Sequence, residues 1–493
     1  MTLDELIGSG PGGRVLPPPG GTPGAGATQI TAVVQRPEDA RPGALFCAIP
    51  GLRADGHDFA AQAVARGASA VLVERSLDLP VPQVLVGDAR LGMALAAAAI
   101  NGHPSRSLAV VGVTGTNGKT TSAFLIRAVL EAAGLPCGLV GTIEARVGGE
   151  LVPVQHTTPD AIELQALFAR MRDAGDTACA MEVSSHALSQ RRVAGTRFAA
   201  ALFTNLTRDH LDYHPDVEHY YASKRALFAR APEEGEDPPG AANLDDEFGR
   251  RLVDETGALG YAVDAPAEVR PARVAGLETG IRATMATPRG PVAIESRLRG
   301  RFNLSNLAGV TAVAELLALP HDALAAGIAS VAGVPGRFEA IEGGQPFPVI
   351  VDYAHTPDSL DNVLRAARGI VTGGRLIVVF GCGGDRDRGK RPEMGAVARR
   401  LADVAVVTSD NPRSEDPEAI VAEILVGAEG GPAALVVEVD RRAAIARALR
   451  DATAGDVVVI AGKGHEQGQE RDGVVTPFDD REVAREMLAG AGA

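Results

Sequence analysis

The stretch SLAVVGVTGTNGKTT, residues 107–121, decides how the rest of the chain is read. An apolar, β-branched run from Leu108 to Val113 breaks into glycines and then into Lys119-Thr120-Thr121, and a helix-like run follows to Ala133. A buried strand that delivers a glycine-rich turn onto a helix N-terminus is a phosphate cradle. Glycine lets backbone N–H groups wrap an anion, Lys119 adds a point charge, and a threonine hydroxyl can hold Mg²⁺. The usual pattern GxxxxGK[ST] is not met to the letter, because Val113 stands where its first glycine belongs; Gly112, Gly115 and Gly118 carry the turn instead. The plainer alternative is a strand-turn-helix with chance glycines. Gly-Lys-Thr-Thr at the point where the helix must start argues for a nucleotide site.

With 493 residues, a guide of roughly 150 residues per domain predicts about three domains, each large enough for its own core. A hydrophobic fraction of 45% beside 22% charged residues is that of an ordinary globular protein. The net charge of −14 excludes a general nucleic-acid or anionic-membrane binder, so anionic substrates must be met by local basic clusters. Cys47, Cys137, Cys179 and Cys382 are widely spaced and form no CxxC, which reads as core thiols in a reducing compartment. The start MTLDELIGSG lacks a basic and an apolar leader region, and no stretch is long and apolar enough to span a bilayer. A cytoplasmic protein is expected.

The first segment, residues 1–104, opens with a Gly/Pro-rich tract (8–26) expected to bury little and to be extended or mobile. Short strands are expected in ALFCAIPG (44–51), SAVLVER (69–75) and PQVLVGD (82–88), and helices over 59–66 and 91–101, giving a small α/β unit. The second segment, 105–335, holds the phosphate loop. TACAMEVSSHAL (177–188) reads as a buried strand ending in Glu182, and FAAALFTNL (198–206) as a strand running into TRDHLDYH, with His210. Ligands of open α/β sheets gather outside the carboxyl ends of strands, so Glu182 and His210 are candidates for the same crevice as Lys119. The run 217–231 is expected to be one helix with Lys224 in its middle; taken alone, that lysine reads as solvated. Residues 232–240 read as an acidic loop, 269–301 as alternating strands, and 301–319 as a long apolar helix starting at Asn303 and Asn306.

The third segment, 336–493, repeats strand-then-helix, its strands ending in polar residues: Asp352, Tyr353 and His355; Asp385 and Arg386; Asp410, Asn411 and Arg413; Lys463, His465 and Glu466. Such alternation predicts right-handed βαβ units in a doubly wound parallel sheet, with a ligand face at these ends.

The order TGTNGKTT, EVSSHAL, TNLTRDHLDYH, HYYASKRALF, GRFE, DYAHTPDSL, GCGGDRDRGKRPEMG, SDNPRSEDP and GKGHE resembles the Mur ligase family over almost the whole chain, and most of all its diaminopimelate-adding branch. The resemblance implies an α/β protein of three domains: a small UDP-binding N-terminal domain, a central ATPase with a mainly parallel sheet, and a Rossmann-like C-terminal domain. It implies an ATP-dependent amide ligase of peptidoglycan precursor synthesis that joins meso-diaminopimelate to UDP-N-acetylmuramoyl-L-alanyl-D-glutamate through an acyl phosphate. Lys119, Glu182, His210 and Lys224 would be catalytic. Gly115, Thr116, Asn117, Gly118, Lys119, Thr120, Thr121, Asn306, Arg337 and Asp352 would bind ATP. Mg²⁺ would be held by Thr120, Glu182, His210 and Lys224, the last as a carbamate formed from CO₂. Thr157, Thr158, Ser184, Gln190 and Arg192 would meet the muramoyl dipeptide, and Arg386, Asp410, Asn411, Pro412, Arg413, Gly462 and Glu466 the diaminopimelate. A monomer that engages neither nucleic acid nor membrane is expected.

One departure from the family pattern concerns the first domain. Arg36-Pro37-Glu38 stands where the family usually carries Asp-Ser-Arg, so a serine for the uridine or phosphate is missing there. Three alternatives stay open at this level: the same ligation with L-lysine, a related amide ligase such as folylpolyglutamate synthetase, and a nucleotide-binding scaffold without turnover. The intact set Lys119, Glu182, His210 and Lys224 speaks against the scaffold, and the first segment with Asp410-Asn411-Pro412-Arg413 against folylpolyglutamate synthetase.

Overall fold

The computed structural model describes residues 1–19, 24–51, 54–153, 155–230, 234–277 and 280–491. The chain divides into two compact units, one comprising Met1–Thr114, Gly134–Leu202 and Ser223–Gly240, the other Gly115–Ala133, Phe203–Ala222 and Ala241–Ala493.

The first unit opens with a five-stranded sheet in the order Arg14–Leu16, Gln83–Leu85, Ala70–Val73, Ala44–Cys47, Ala32–Val34. Its first pairing is antiparallel and the rest are parallel. Side chains alternate across a strand, so Val71 and Val73 join Phe46 and Ala63 on one face while Ala70 and Leu72 join Leu45 and Met93 on the other. The helices Ala60–Ala65 and Ala89–Ile100 cover those faces, as parallel sheets require. Part of the Gly/Pro-rich tract departs from expectation. Arg14–Leu16 supplies the antiparallel edge strand, and the capped helix Leu3–Ser9 before it buries Leu3 and Leu6. Residues 20–23 of that tract lie outside the described residues.

A second sheet of this unit runs in the order Ala200–Phe203, Ala109–Thr114, Ala178–Glu182, Cys137–Val140, Ala145–Val147, Glu150–Val152. Ala178–Glu182 is parallel to both its neighbours, and the last three strands form an antiparallel meander.

The helix Val217–Arg225 is shorter than the run 217–231 suggested, and it puts Lys224 in its last turn rather than its middle. Leu227 and Phe228 are 0% and 3% exposed. Lys224 is itself 1% exposed, which overturns its reading as a solvated residue. Residues 231–233, the end of the expected helix and the start of the acidic loop, lie outside the described residues.

In the second unit, Gly240–Asn243 pairs in parallel with Leu259–Tyr261, and three antiparallel strands, Arg270–Ala275, Ile281–Ala286 and Val292–Ser296, follow. A six-stranded sheet then runs in the order Glu339–Ile341, Val349–Asp352, Val457–Ala461, Leu376–Phe380, Val404–Val407, Ala434–Val437. Five strands are parallel; only Glu339–Ile341 is antiparallel, at an edge. Ile350, Val378 and Val459 pack beneath Leu360, Met394 and Ile420 on one face, and Val351, Ile377 and Ile460 beneath Ile445 and Val483 on the other. This is the expected doubly wound layering. An antiparallel hairpin, Gly468–Arg471 with Val474–Pro477, and the helix Asp480–Ala491 close the chain.

Candidate active site

After the buried strand Ala109–Thr114 the chain turns through residues 115–118 and enters the helix Lys119–Ala132. Gly115 and Gly118 have φ of 146° and 86°. A Cβ there would stand 1.9 Å from Thr204 Oγ1 and 2.4 Å from Asn306 Oδ1 respectively, so only glycine fits either place. The loop is fixed from outside: Thr116 N donates to Asn205 O at 2.9 Å, Asn117 N to Asn205 Oδ1 at 2.9 Å, and Thr204 Oγ1 to Asn117 O at 2.6 Å. Lys119 Nζ donates to the carbonyls of Gly115 and Thr116 at 3.0 and 2.7 Å, which holds its ammonium over the loop. Among the described residues no side chain caps this helix, and a helix N-terminus favours an anion.

Three further residues expected at the nucleotide gather here. Asn306 sits under Gly118 and donates to Asn303 Oδ1 at 3.0 Å. Arg337 donates to Thr120 Oγ1 at 3.0 Å and stacks over the Tyr353 ring at 4.3 Å. Asp352 accepts from Phe338 N at 2.6 Å and Ala354 N at 2.7 Å; burial pushes its carboxyl up to about 6 against the pull of Arg337. Asn117 Nδ2 also donates to Asp358 at 2.8 Å.

His210 lies at φ 55°, and its N donates to Asp209 Oδ1 at 2.9 Å. Burial works against the Asp209 charge, yet His210, His355 and Lys390 together hold it below the usual carboxylate range. Burial, helped by Lys390 and opposed by Asp209, pushes His355 down to about 4. Its Nδ1 donates to Tyr353 O at 2.8 Å.

In the first unit, Glu182 ends its strand 1% exposed. Thr142 N donates to Oε1 at 2.8 Å, and Thr142 Oγ1 lies 3.0 Å from both Glu182 Oε2 and Thr157 Oγ1. Thr158 Oγ1 donates to Glu182 O at 2.9 Å and accepts from Ser184 N at 3.1 Å. Arg192 donates to Thr158 O at 2.9 Å and grips Gln190 Oε1 through Nε and Nη2 at 3.2 and 2.9 Å. The five residues expected at the dipeptide therefore share one hydrogen-bond network with Glu182. Where the family serine is missing, Pro37–Asp39 forms a 3₁₀ turn beside a groove of about 450 Å³ lined by Gln35, Arg36, Phe59, Gln62 and Asp160 among others.

Back in the second unit, the strand ends of the six-stranded sheet converge. Lys463 Nζ, fully buried, donates to Asn411 Oδ1 at 2.7 Å and Glu466 Oε2 at 3.3 Å and lies 3.8 Å from Asp410. Asn411 Nδ2 donates to Glu466 at 2.9 Å. A Cβ on Gly462 would stand 2.4 Å from Asp410 Oδ2, and one on Gly383 would touch both Arg413 Nη1 and Arg386 Cγ. Despite burial, Lys463 and Arg441 keep Asp410 below its ordinary value, whereas burial and then Asp410 raise Glu466. Beneath them Arg441 pairs with Asp480 at 2.7 Å, both side chains fully buried, and donates to the carbonyls of Ser409 and Ala461.

Three family models match in series: the Mur ligase family catalytic domain over residues 38–109, the Mur ligase middle domain over 113–314, and the Mur ligase glutamate ligase domain over 336–464. A relative from Solibacter usitatus named UDP-N-acetylmuramoyl-L-alanyl-D-glutamate--2,6-diaminopimelate ligase is 45% identical over 100% of this chain and 99% of its own. The chain belongs to the Mur ligase family. A relative of the same name from Gloeobacter violaceus is 48% identical over 91% of this chain and 92% of its own. A solved structure titled with that name aligns over 100% of this chain and 99% of its own, at 32% identity and a TM-score of 0.69. The layers described above are thus a Mur ligase fold.

Mg²⁺ favours oxygen donors and keeps several waters. Among the described residues no three or more His, Cys, Asp or Glu side chains form a metal cage. Each unit carries single oxygen donors of the kind Mg²⁺ takes, the buried Glu182 carboxylate in the first and the Thr120 hydroxyl in the second. Sequence reasoning did not single out Thr142, Asn205, Asp358 or Arg441. Thr142 and Asn205 follow strand ends and could have been found by that rule; Arg441 opens a helix and carries no local signal.

Proposed function

We propose that this Mur ligase joins meso-diaminopimelate to UDP-N-acetylmuramoyl-L-alanyl-D-glutamate with hydrolysis of ATP to ADP and phosphate, in peptidoglycan precursor synthesis. The observation that carries the reading is the end-to-end likeness, at 45% and 48% identity, to relatives bearing that name. Residues 1–104 bind the UDP end, which the groove beside Arg36 supports; residues 105–335 bind ATP; residues 336–493 bind the amino acid.

Residues 115–121 hold the triphosphate by backbone N–H groups, with Lys119 swinging from its loop carbonyls to the β/γ-phosphates. Asn306 contacts adenine, and Arg337 and Asp352 the ribose region. Thr157, Thr158, Ser184, Gln190 and Arg192 present the dipeptide's glutamate carboxylate. A carboxylate oxygen attacks the γ-phosphorus as the bond to ADP breaks; the amine of diaminopimelate then attacks the acyl carbon, phosphate leaves, and the amine gives up a proton. Positioning and charge neutralisation supply most of the acceleration. Mg²⁺, when bound, would neutralise phosphate charge, held by Thr120, Glu182, His210 and a carbamate on Lys224. The Lys224 side chain is buried, and a carbamate formed on it from CO₂ would replace a cation with two anionic oxygens.

Asp410, Asn411, Pro412 and Arg413, with Arg386, Gly462 and Glu466, read diaminopimelate. A planar guanidinium at Arg413 grips the distal carboxylate, which L-lysine lacks. The test is phosphate release in the presence of ATP, Mg²⁺ and the UDP-linked dipeptide. Release that depends on meso-diaminopimelate supports the reading, and release indifferent to it refutes the reading.

A further inference from the structure

Arg413 is a non-glycine residue at φ 52°, in the left-handed region that a side chain occupies only when its surroundings over-determine it. Those surroundings are the hairpin formed by Gly468–Arg471 and Val474–Pro477. Arg413 N donates to Glu470 O at 3.0 Å, and Arg413 O accepts from Asp472 N at 2.7 Å, so both backbone groups of the strained residue are satisfied by the hairpin. Glu470 N donates to Asn411 Oδ1 at 3.0 Å. Gln469 Nε2 donates to Asp410 O at 2.7 Å and to Ser409 Oγ at 3.1 Å. The Glu470 carboxylate stands 3.2 Å from Arg413 Nε, while Arg413 Nη1 donates to Gly384 O at 2.7 Å. The guanidinium is thereby held through Nε and Nη1.

The hairpin has little else to do. It forms a two-stranded sheet of its own, Val474 and Val475 are 61% and 66% exposed, and a lone two-stranded hairpin is marginal in water. Its turn, Asp472-Gly473 with φ of 51° and 75°, is of the kind that sets strand register tightly. The match to the glutamate ligase domain ends at residue 464, before the hairpin begins.

We infer that the hairpin at 468–477 is the specificity brace of the amino-acid site, and that Gln469 and Glu470 are positioning residues that aim Arg413 at the distal carboxylate of the substrate. The inference rests on the reading of residues 410–413 as the diaminopimelate site. Glu470 shares the Arg413 charge in the free protein, and an incoming carboxylate takes over part of that role. Gln469 fixes the main chain on which the guanidinium is mounted.

The experiment is steady-state phosphate release by the full chain, comparing wild type with Gln469→Ala, Glu470→Ala and Glu470→Gln. Each alanine variant is expected to raise KM for meso-diaminopimelate about tenfold, the size of one charge-assisted hydrogen bond, with KM for ATP and for the UDP-linked dipeptide within about twofold and kcat nearly unchanged. The preference for meso-diaminopimelate over L-lysine falls in step. Glu470→Gln keeps an oxygen facing Nε and is expected to recover most of the loss. KM values for all three substrates rising together with a lowered Tm, or an unchanged KM for meso-diaminopimelate, overturns the brace while leaving the proposed activity standing. A wild type that shows no turnover with meso-diaminopimelate overturns both.

Discussion

The phosphate loop and the proposed amino-acid site lie in the same unit and are built on opposite plans. The loop is continuous in sequence, follows one strand, and offers backbone N–H groups that any nucleotide triphosphate can use. Two glycines whose Cβ positions are filled by Thr204 and Asn306 enforce its shape. The amino-acid site is gathered from the ends of several strands and a distant hairpin, and it relies on side chains, a buried lysine and one strained arginine. Chemistry shared by many enzymes can rest on local backbone. Discrimination between two amino acids needs groups whose positions the whole domain sets.

The comparison breaks most visibly if the loop proves dispensable. Lys119→Ala is expected to lower turnover by ~10²–10³-fold, the loss typical of one preorganised charge at a transition state. Near wild-type phosphate release in that variant would remove the loop from the chemistry. A selective effect is expected at the other site. Arg413→Ala should raise KM for meso-diaminopimelate at least ~30-fold, the low end of the cost of breaking a buried charge pair, while KM for ATP stays constant. Equal changes in both constants would mean that the two sites are not separable.

Lys224 sharpens the contrast, because its proposed carbamate would serve the phosphate side from the last turn of a helix. Lys224→Ala should lose activity and regain part of it, several-fold, with small carboxylates such as formate or acetate. An unmodified amine in a crystal of the active, metal-loaded enzyme would contradict the carbamate.

The smallest effect is on stability. The Asp352 carboxyl sits above its ordinary value, so the folded state takes up its proton first; the stability it contributes is present at low pH and is lost as pH rises through about 6. The His355 imidazole sits below its ordinary value, so its contribution is present above about 6.5 and is lost as pH falls toward about 4. The two oppose each other between about pH 4 and 6, with the His355 slope made shallower by solvent screening. Against wild type, His355→Gln should gain, and Asp352→Asn lose, roughly a few degrees of Tm on acidification across that window. Parallel pH profiles for all three proteins would refute these assignments.

Much of this was legible in the sequence because apolar runs and strand-end chemistry are local. The strands at 109–114, 178–182 and 457–461, and the polar ends Glu182, Asp352 and Asp410, follow from short continuous apolar runs, as buried parallel strands show, and from the rule that ligands gather at carboxyl ends. The length of the helix at 217–225 was not legible, because the residues that follow, Leu227 and Phe228 among them, are helix-compatible by propensity and are placed by tertiary burial. Nor was the edge strand Arg14–Leu16, whose glycine- and proline-rich neighbourhood forms a strand only by pairing with residues 83–85. The Arg441–Asp480 pair joins residues 39 positions apart, and nothing in either neighbourhood announces the other.

The most direct test of the central claim is a single incubation of the enzyme with ATP, Mg²⁺, UDP-N-acetylmuramoyl-L-alanyl-D-glutamate and equal amounts of meso-diaminopimelate and L-lysine, with the nucleotide-linked products resolved by mass. The account predicts one dominant product, carrying diaminopimelate in amide linkage. Comparable amounts of the lysine adduct, or phosphate release without either product, would contradict it.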